Sequence, residues 1–292
     1  MKIIQPLTIT DAMLVSSTVA EDDAPVYSAT TTYAAGAKVI SGHRVYQSAQ
    51  ASNTGRSLLD PTWWTDIGPT KRWAAFDQAI GTACTGASPL EIVLAPGQSN
   101  NAVALLELSG IDTVRVRSKQ GAVTTYDRTI DLRASRLVDN WLVYFFAPIV
   151  IASQSLFNDL PIATTNQITI TCTGAAPALG VLAIGLQREY GAAQYGTSLG
   201  IIDYSAKETN TFGVTEVVER AYAKRAQVSF ALPRQQVDAF AKLLASLRAK
   251  PALWIVDDTE EALTIYGWVR DWSQTIAYPT LVTGDMTLEG LI

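Results

Sequence analysis

The sequence predicts a mainly β protein, on three observations. Strand signals dominate, with apolar and polar residues alternating at period two in run after run, the pattern of half-buried strands. Clusters of Gly, Pro, Asn, Asp and Ser cut these runs at short intervals, as turns do. Only "LPRQQVDAFAKLLASLRAKP" carries the 3.6-residue periodicity of an amphipathic helix. With 292 residues, 48% of them hydrophobic and 17% charged, two or three domains are expected. Changes of pattern put the boundaries at residues 1–75, 76–191 and 192–292.

Residues 1–75 are poor in helix signals and rich in rings. "YAAGAKVISGHRVYQS" reads as a hairpin, with Gly42 making the turn between "AKVI" and "RVYQS". Tyr27, Tyr33, Tyr46, Trp63, Trp64 and Trp73 crowd into the same stretch. An all-β unit of about 50 residues buries little surface, so large rings are needed to build its core. Exposed, the same rings would be flat platforms for the apolar face of a sugar. Both readings stand at this point.

Residues 76–191 read as an antiparallel β-sandwich, jelly-roll-like, from at least seven strands between Leu90 and Gln187. In "QITITCTG", Ile168, Ile170 and Cys172 take one face and Thr169, Thr171 and Thr173 the other. "DTVRVRSK" turns Val114 and Val116 inward and Arg115 and Arg117 outward. "LEIVLAPG", "NAVALLELSG", "VTTYDRTIDL", "WLVYFFAPIVI" and "LGVLAIGLQ" supply the others. Residues 192–292 read as an α+β module with one long helix. Pro233 suits its first turn, and Val237, Phe240, Ala241, Leu244 and Leu247 form its apolar stripe. Lys250 closes it and Pro251 stops it. Val228, Phe230 and Leu232 alternate inward on a strand before it, and "ALWIVDD", "LTIYGWVRDW" and "TLVTGDMTLEGLI" follow it as strands.

Several chemistries are disfavoured. A net charge of −5, with only Ala223-Lys224-Arg225 as a local basic run, argues against nucleic acid as a partner. "MKIIQPLTITDAMLVSS" lacks the unbroken apolar core of a secretory signal, and the apolar run from Trp141 to Ala152 is too short to span a bilayer. A soluble chain made in the cytosol, without membrane insertion, is expected. Cys84 and Cys172 read as free, buried thiols. His43 is the only histidine, at a hairpin tip, where it is expected to be exposed and little tuned; any triad would have to use it. No metal-ligand spacing and no phosphate-binding glycine pattern occurs, so no metal and no cofactor are expected. The acidic runs Asp22-Asp23 and Asp257-Asp258-Thr259-Glu260-Glu261 read as solvated turns rather than a catalytic pair, and no enzymatic activity is expected.

Two resemblances add to this. Tyr27, Tyr33, Gly36, Val39, Gly42, Tyr46, Asn53, Gly55, Pro61 and Trp64 follow the pattern of small chitin-binding-type carbohydrate-binding modules. The pattern departs in two places: Tyr27 stands where a Trp is usual, and "SAQAS", Ser48 to Ser52, replaces the exposed aromatic pair of the chitin binders. The block that follows, with Asp66, Ile67, Gly68, Pro69, Thr70, Arg72, Trp73, Phe76 and Asp77, is similar to a "DIGPTNRWxxFD" block of tail-associated virion proteins of bacteriophages and prophages, Lys71 departing from the usual Asn. "QYGTSLGIIDYSAKETNTFG", "ERAYAKRA", "LLASLRAKPALWI" and "IAYPT" also resemble that family, so the likeness runs through nearly the whole chain.

The resemblance implies a structural component of a phage tail, in the distal tail or baseplate region, assembled as a symmetric homo-oligomeric ring. Its partners would be other tail proteins, its place the virion, and host-surface glycan a further candidate ligand. Tyr27, Tyr33, Tyr46, Trp63 and Trp64 are the candidate sugar-binding residues. Gly68, Pro69, Arg72, Trp73, Phe76 and Asp77 are expected to build a junction: Gly68-Pro69 as a turn, Trp73 and Phe76 as pins, Arg72 paired with Asp77. The alternatives are a receptor-binding adhesin and, more remotely, a glycan hydrolase using Asp257 or Asp258.

Overall fold

In a computed structural model, which describes residues 1–135, 141, 145, 151–209, 211–213, 215–258, 260–276 and 278–291, the named strands all pair antiparallel. Two strands open the chain, β1 (Lys2–Pro6) and β2 (Leu14–Ser17). The ring-rich stretch holds β3 (Thr32–Tyr33), β4 (Lys38–Ser41), β5 (Arg44–Ser48), β6 (Asn53–Thr54) and β7 (Trp64–Pro69). Next come β8 (Cys84–Thr85), β9 (Leu90–Leu94), β10 (Ala102–Ser109), β11 (Thr113–Gln120), β12 (Val123–Asp131), β13 (Gln154–Phe157), β14 (Gln167–Thr173) and β15 (Ala178–Glu189). The last stretch holds β16 (Ala192–Ala193), β17 (Ser198–Asp203), β18 (Ala206–Thr209), β19 (Thr215–Val218), β20 (Tyr222–Pro233), helix α1 (Val237–Ser246), β21 (Ala252–Ile255), β22 (Thr264–Thr275) and β23 (Leu281–Gly290).

The chain forms two compact units rather than three consecutive stretches, and β15 runs from one into the other. The first takes residues 1–7, 100–102 and 184–292. Residues 1–7 belong there because β1 is an inner strand of its sheet: Lys2 to Pro6 face Glu189 to Gly185 on one side, and Lys2 to Ile4 face Ile255 to Leu253 on the other. Strand order is β15–β1–β21–β22–β23–β20, with β16 and β17 both on β20. Val228, Phe230 and Leu232 point inward as the alternation predicts, and α1 lays Phe240, Leu243 and Leu244 against them, with Leu247 just past its end in the same core. Each such side chain taken fully out of water contributes about 1.5–3 kcal/mol. Trp254 lies at the centre of this core, wholly buried, and its Nε1–H donates to the Gly267 carbonyl at 3.2 Å.

The helix is shorter than its sequence pattern. A 3₁₀ turn over Arg234–Gln236 leads into ten α-helical residues, and the helix ends at Ser246 rather than at Lys250. Lys250 precedes Pro251, whose ring crowds a helical backbone at the preceding residue, so the chain leaves the helix a turn early. Ala249 sits at φ 59 in the unwinding stretch. Of the expected stripe, Phe240, Leu244 and Leu247 are buried, Val237 and Ala241 only partly so, and Leu243 joins them.

The second unit, residues 8–99 and 103–183, is β-sandwich-like. One sheet runs β12–β11–β14–β9–β2; the other sets β10 between β13 and β15, with β8 on β15. Val114 faces Cys172, which faces Leu90, and Val116 faces Ile170, which faces Ile92. All six are wholly buried, while Arg115 on the opposite face pairs with Asp127 of β12, Nε to Oδ1 at 2.7 Å. Cys84 of β8 and Cys172 of β14 are free and buried, and burial pushes both thiols up to about 12. Cys84 also adds to the rise at Cys172. Gly110, at φ +64, has no room for a side chain: a Cβ would fall 2.2 Å from the Ala176 carbonyl oxygen. Of "WLVYFFAPIVI", read as a strand, only Trp141, Phe145 and Ile151 lie within the described residues; Trp141 and Phe145 are helical, with rings stacked at 6.0 Å.

Candidate functional site

The ring-rich stretch forms a miniature module within the second unit. β5 pairs with β4 and β7, and β3 with β6. The turn is the expected one: Gly42 (φ 55) and His43 (φ 64) are both left-handed, as a two-residue type I′ hairpin loop requires. Tyr33, Val39 and Trp64 are the buried centre, with Tyr27, Tyr46 and Trp63 packed around it. Trp64 meets Tyr27 and Tyr33 edge-on at 5.7 and 5.3 Å, and the two tyrosines stack at 6.0 Å.

The polar tips are also used internally. The Tyr33 hydroxyl accepts from the Ser28 amide at 2.7 Å, and the Tyr27 hydroxyl donates to the Arg56 carbonyl at 2.7 Å. The Arg56 guanidinium lies 4.6 Å over the Trp63 ring, a cation–π contact that covers one of its faces. All five candidate sugar-binding rings therefore come together, Tyr33 and Trp64 as the buried core and Tyr27, Tyr46 and Trp63 half-buried around it. Ser48 is buried; its hydroxyl donates to the Gln50 carbonyl at 2.8 Å and accepts from Asn53 Nδ2 at 2.8 Å. Where chitin binders carry exposed aromatics, this chain begins with an internal polar latch.

The junction residues gather beside the hairpin, with two departures from expectation. Gly68 and Pro69 end strand β7 instead of making a turn: Val45 faces Gly68 while Tyr46 faces Asp66, so Ile67 is the extra residue of a β-bulge. Gly68, at φ 138, supplies the backbone the bulge needs. Arg72 does not pair with Asp77, whose carboxylate accepts from the Ala79 amide at 2.9 Å and the Thr82 hydroxyl at 2.8 Å. The Asp is held by its own loop, and Arg72 Nε is buried without a hydrogen bond. Trp73 stacks on the His43 ring at 4.2 Å and meets Phe76 edge-on at 5.4 Å, with Phe76 buried.

His43 is not the exposed tip the sequence suggested. Its Nε2 lies 2.7 Å from Asp11 Oδ1 and its Nδ1 2.9 Å from Glu21 Oε1, beside a cleft of about 370 Å³ lined by Asp11, Arg44, Trp73 and Asp77. Burial favours the neutral ring, but the hydrogen bonds and charges of Glu21 and Asp11 outweigh it, and the pKa is raised above its ordinary value. With both nitrogens engaged, the ring has no free position from which to act as a general base. Each acidic run holds an ion-paired residue: Asp258 takes Lys2 at 2.6 Å and Asp23 takes Lys71 at 3.6 Å. Among the described residues no group of His, Cys, Asp and Glu could hold a metal ion, and no helix is long and apolar enough to cross a membrane.

A second feature, in the first unit, escaped sequence reading. β17 pairs with β20 from Ser198↔Gln227 to Asp203↔Tyr222, and the ribbon continues as β18 on β19 from Ala206↔Val218 to Thr209↔Thr215. From Asp203 to Tyr222 no described residue is buried. The inward face of β20 runs on through Ala226 to Lys224 and Tyr222, and residues directly opposite share a face, so Leu199 and Ile201 extend it. Leu199 is 51% exposed, Ile201 63% and Tyr222 58%; Val217 and Val218, on opposite faces of the tip, are 60% and 50% exposed. The turn-forming "TNTFG" between two alternating runs was the available signal for a hairpin; exposure of the apolar residues had none. No family model matches this chain, and no curated protein does.

Proposed function

We propose that this chain is a structural component of a bacteriophage tail, of the distal tail or baseplate region, working as a symmetric homo-oligomer. The exposed ribbon carries this reading. An isolated two-stranded ribbon is marginal in water, and here its apolar side chains are in solvent on both faces. Covering them releases about 25 cal/mol per Å² of apolar surface, which favours a partner laid along it. In a closed ring every copy lays its ribbon on a complementary patch of the next, so one head-to-tail contact, repeated, covers every ribbon. Other tail proteins are the remaining partners, and the virion is its place.

The rival reading, an adhesin that binds host glycan, needs ring faces in solvent. In the small module Tyr33 and Trp64 are buried, Tyr27 is packed on both, and Arg56 lies over the Trp63 ring, which favours the structural role. The test is imaging of the assembled virion with an antibody to this chain. Ring-like labelling at the distal tail supports the proposal; label elsewhere or none overturns it.

A further inference from the structure

We propose that His43, as an imidazolium, is a proton-operated clamp that fastens the β4–β5 hairpin, and with it the small aromatic module, to the segments carrying Asp11 and Glu21. A neutral imidazole has one N–H, so one of its nitrogens is a lone pair. Here both nitrogens face carboxylate oxygens, at 2.7 and 2.9 Å, and only the doubly protonated ring donates to both. A neutral ring would set a lone pair against a carboxylate.

The clamp draws together parts of the chain far apart in sequence. Asp11 comes from the link between β1 and β2, and Glu21 from the segment after β2. Trp73 comes from beyond β7 and covers the ring face at 4.2 Å. Thr70 donates to Glu21 Oε1 at 2.9 Å, holding that carboxylate in place.

The other charges around the site leave this pairing intact. Arg44, next in the hairpin, is paired with Asp66 of β7 at 2.7 Å. Asp77, at the cleft rim, is bonded to Ala79 and Thr82, and Lys71 to Asp23. Asp11 and Glu21 are therefore the two anions that act on the ring. The folded state holds the proton more tightly than the unfolded chain, whose value is about 6.5. The clamp is therefore fully present below about pH 6.5 and is lost as pH rises through the folded value, releasing toward alkaline pH. Glu21 is 20% exposed and Asp11 72%, so Glu21 is the stronger half.

As His43 is the only histidine in the chain, its imidazole signals in an NMR titration need no assignment. The expected result is a midpoint above about 6.5, lowered more by Glu21→Gln than by Asp11→Asn. Cleavage by a protease within residues 25–69, taken as the ratio of wild type to His43→Asn, then rises with pH. The rise is about tenfold for each pH unit by which the wild-type midpoint exceeds 6.5. His43→Asn keeps a residue that tolerates the left-handed turn; if that variant fails to fold, the Glu21→Gln midpoint decides alone. A midpoint at or below about 6.5, a Glu21→Gln midpoint no lower than wild type, or a pH-independent cleavage ratio overturns the proposal.

Discussion

Replacing Trp64 separates a ring that builds a core from a ring that binds a sugar. Trp64 is one of three buried centres of the small module, together with Tyr33 and Val39. Truncating a buried Trp to Ala costs about 3–5 kcal/mol. Its edge contacts with Tyr27 at 5.7 Å and Tyr33 at 5.3 Å are worth about 0.5–1.5 kcal/mol each within that range. A β unit of this size has no such reserve, so Trp64→Ala should melt residues 25–69 while the sandwich stays folded. Trp64→Phe keeps most of the ring and removes a buried Nε1–H that has no hydrogen-bond partner, itself a cost of about 1–3 kcal/mol. The net loss for Phe should therefore stay under about 2 kcal/mol. Two-dimensional NMR of the two variants reads this directly, as collapse of the module's amide signals in one and their survival in the other. Trp64→Ala with a fully dispersed module spectrum would refute the core role.

Two further perturbations test the sandwich. Cys84 and Cys172, with thiols pushed up to about 12 by burial, should resist alkylation at pH 8 in the native protein, and both should label in denaturant; native labelling at the rate of a free thiol contradicts the packing. Gly110→Ala should lower stability by about 2–4 kcal/mol, since its Cβ would strike the Ala176 carbonyl at 2.2 Å and its φ is +64; an unchanged urea midpoint contradicts that crossing.

Period-two alternation located the strands because burial follows it closely: Ile168, Ile170 and Cys172 are all wholly buried, and so, within 1%, are Val228, Phe230 and Leu232. It could not say which strand pairs with which, so β1 was grouped with its neighbours in sequence instead of with β15 and β21. The helix was legible in its stripe but not in its end, where Pro251 acts backward on Lys250. The aromatic cluster was legible as a cluster; which faces it covers depends on Arg56 and Ser48, whose positions no local pattern sets. His43 was misread because its environment comes from Asp11, Glu21 and Trp73, each brought in by the fold. The ribbon went unread for the opposite reason: the exposure of Leu199, Ile201 and Val217 leaves no mark in the sequence, since apolar character alone does not tell a core from an uncovered interface.

The mass of the chain in solution, measured beside Leu199→Asp/Ile201→Asp and Val217→Asp variants, tests the proposed assembly most directly. A closed oligomer for the wild type, with the variants dissociating to monomers of unchanged circular dichroism, is the predicted result. A monomeric wild type, or variants that assemble as the wild type does, would contradict it.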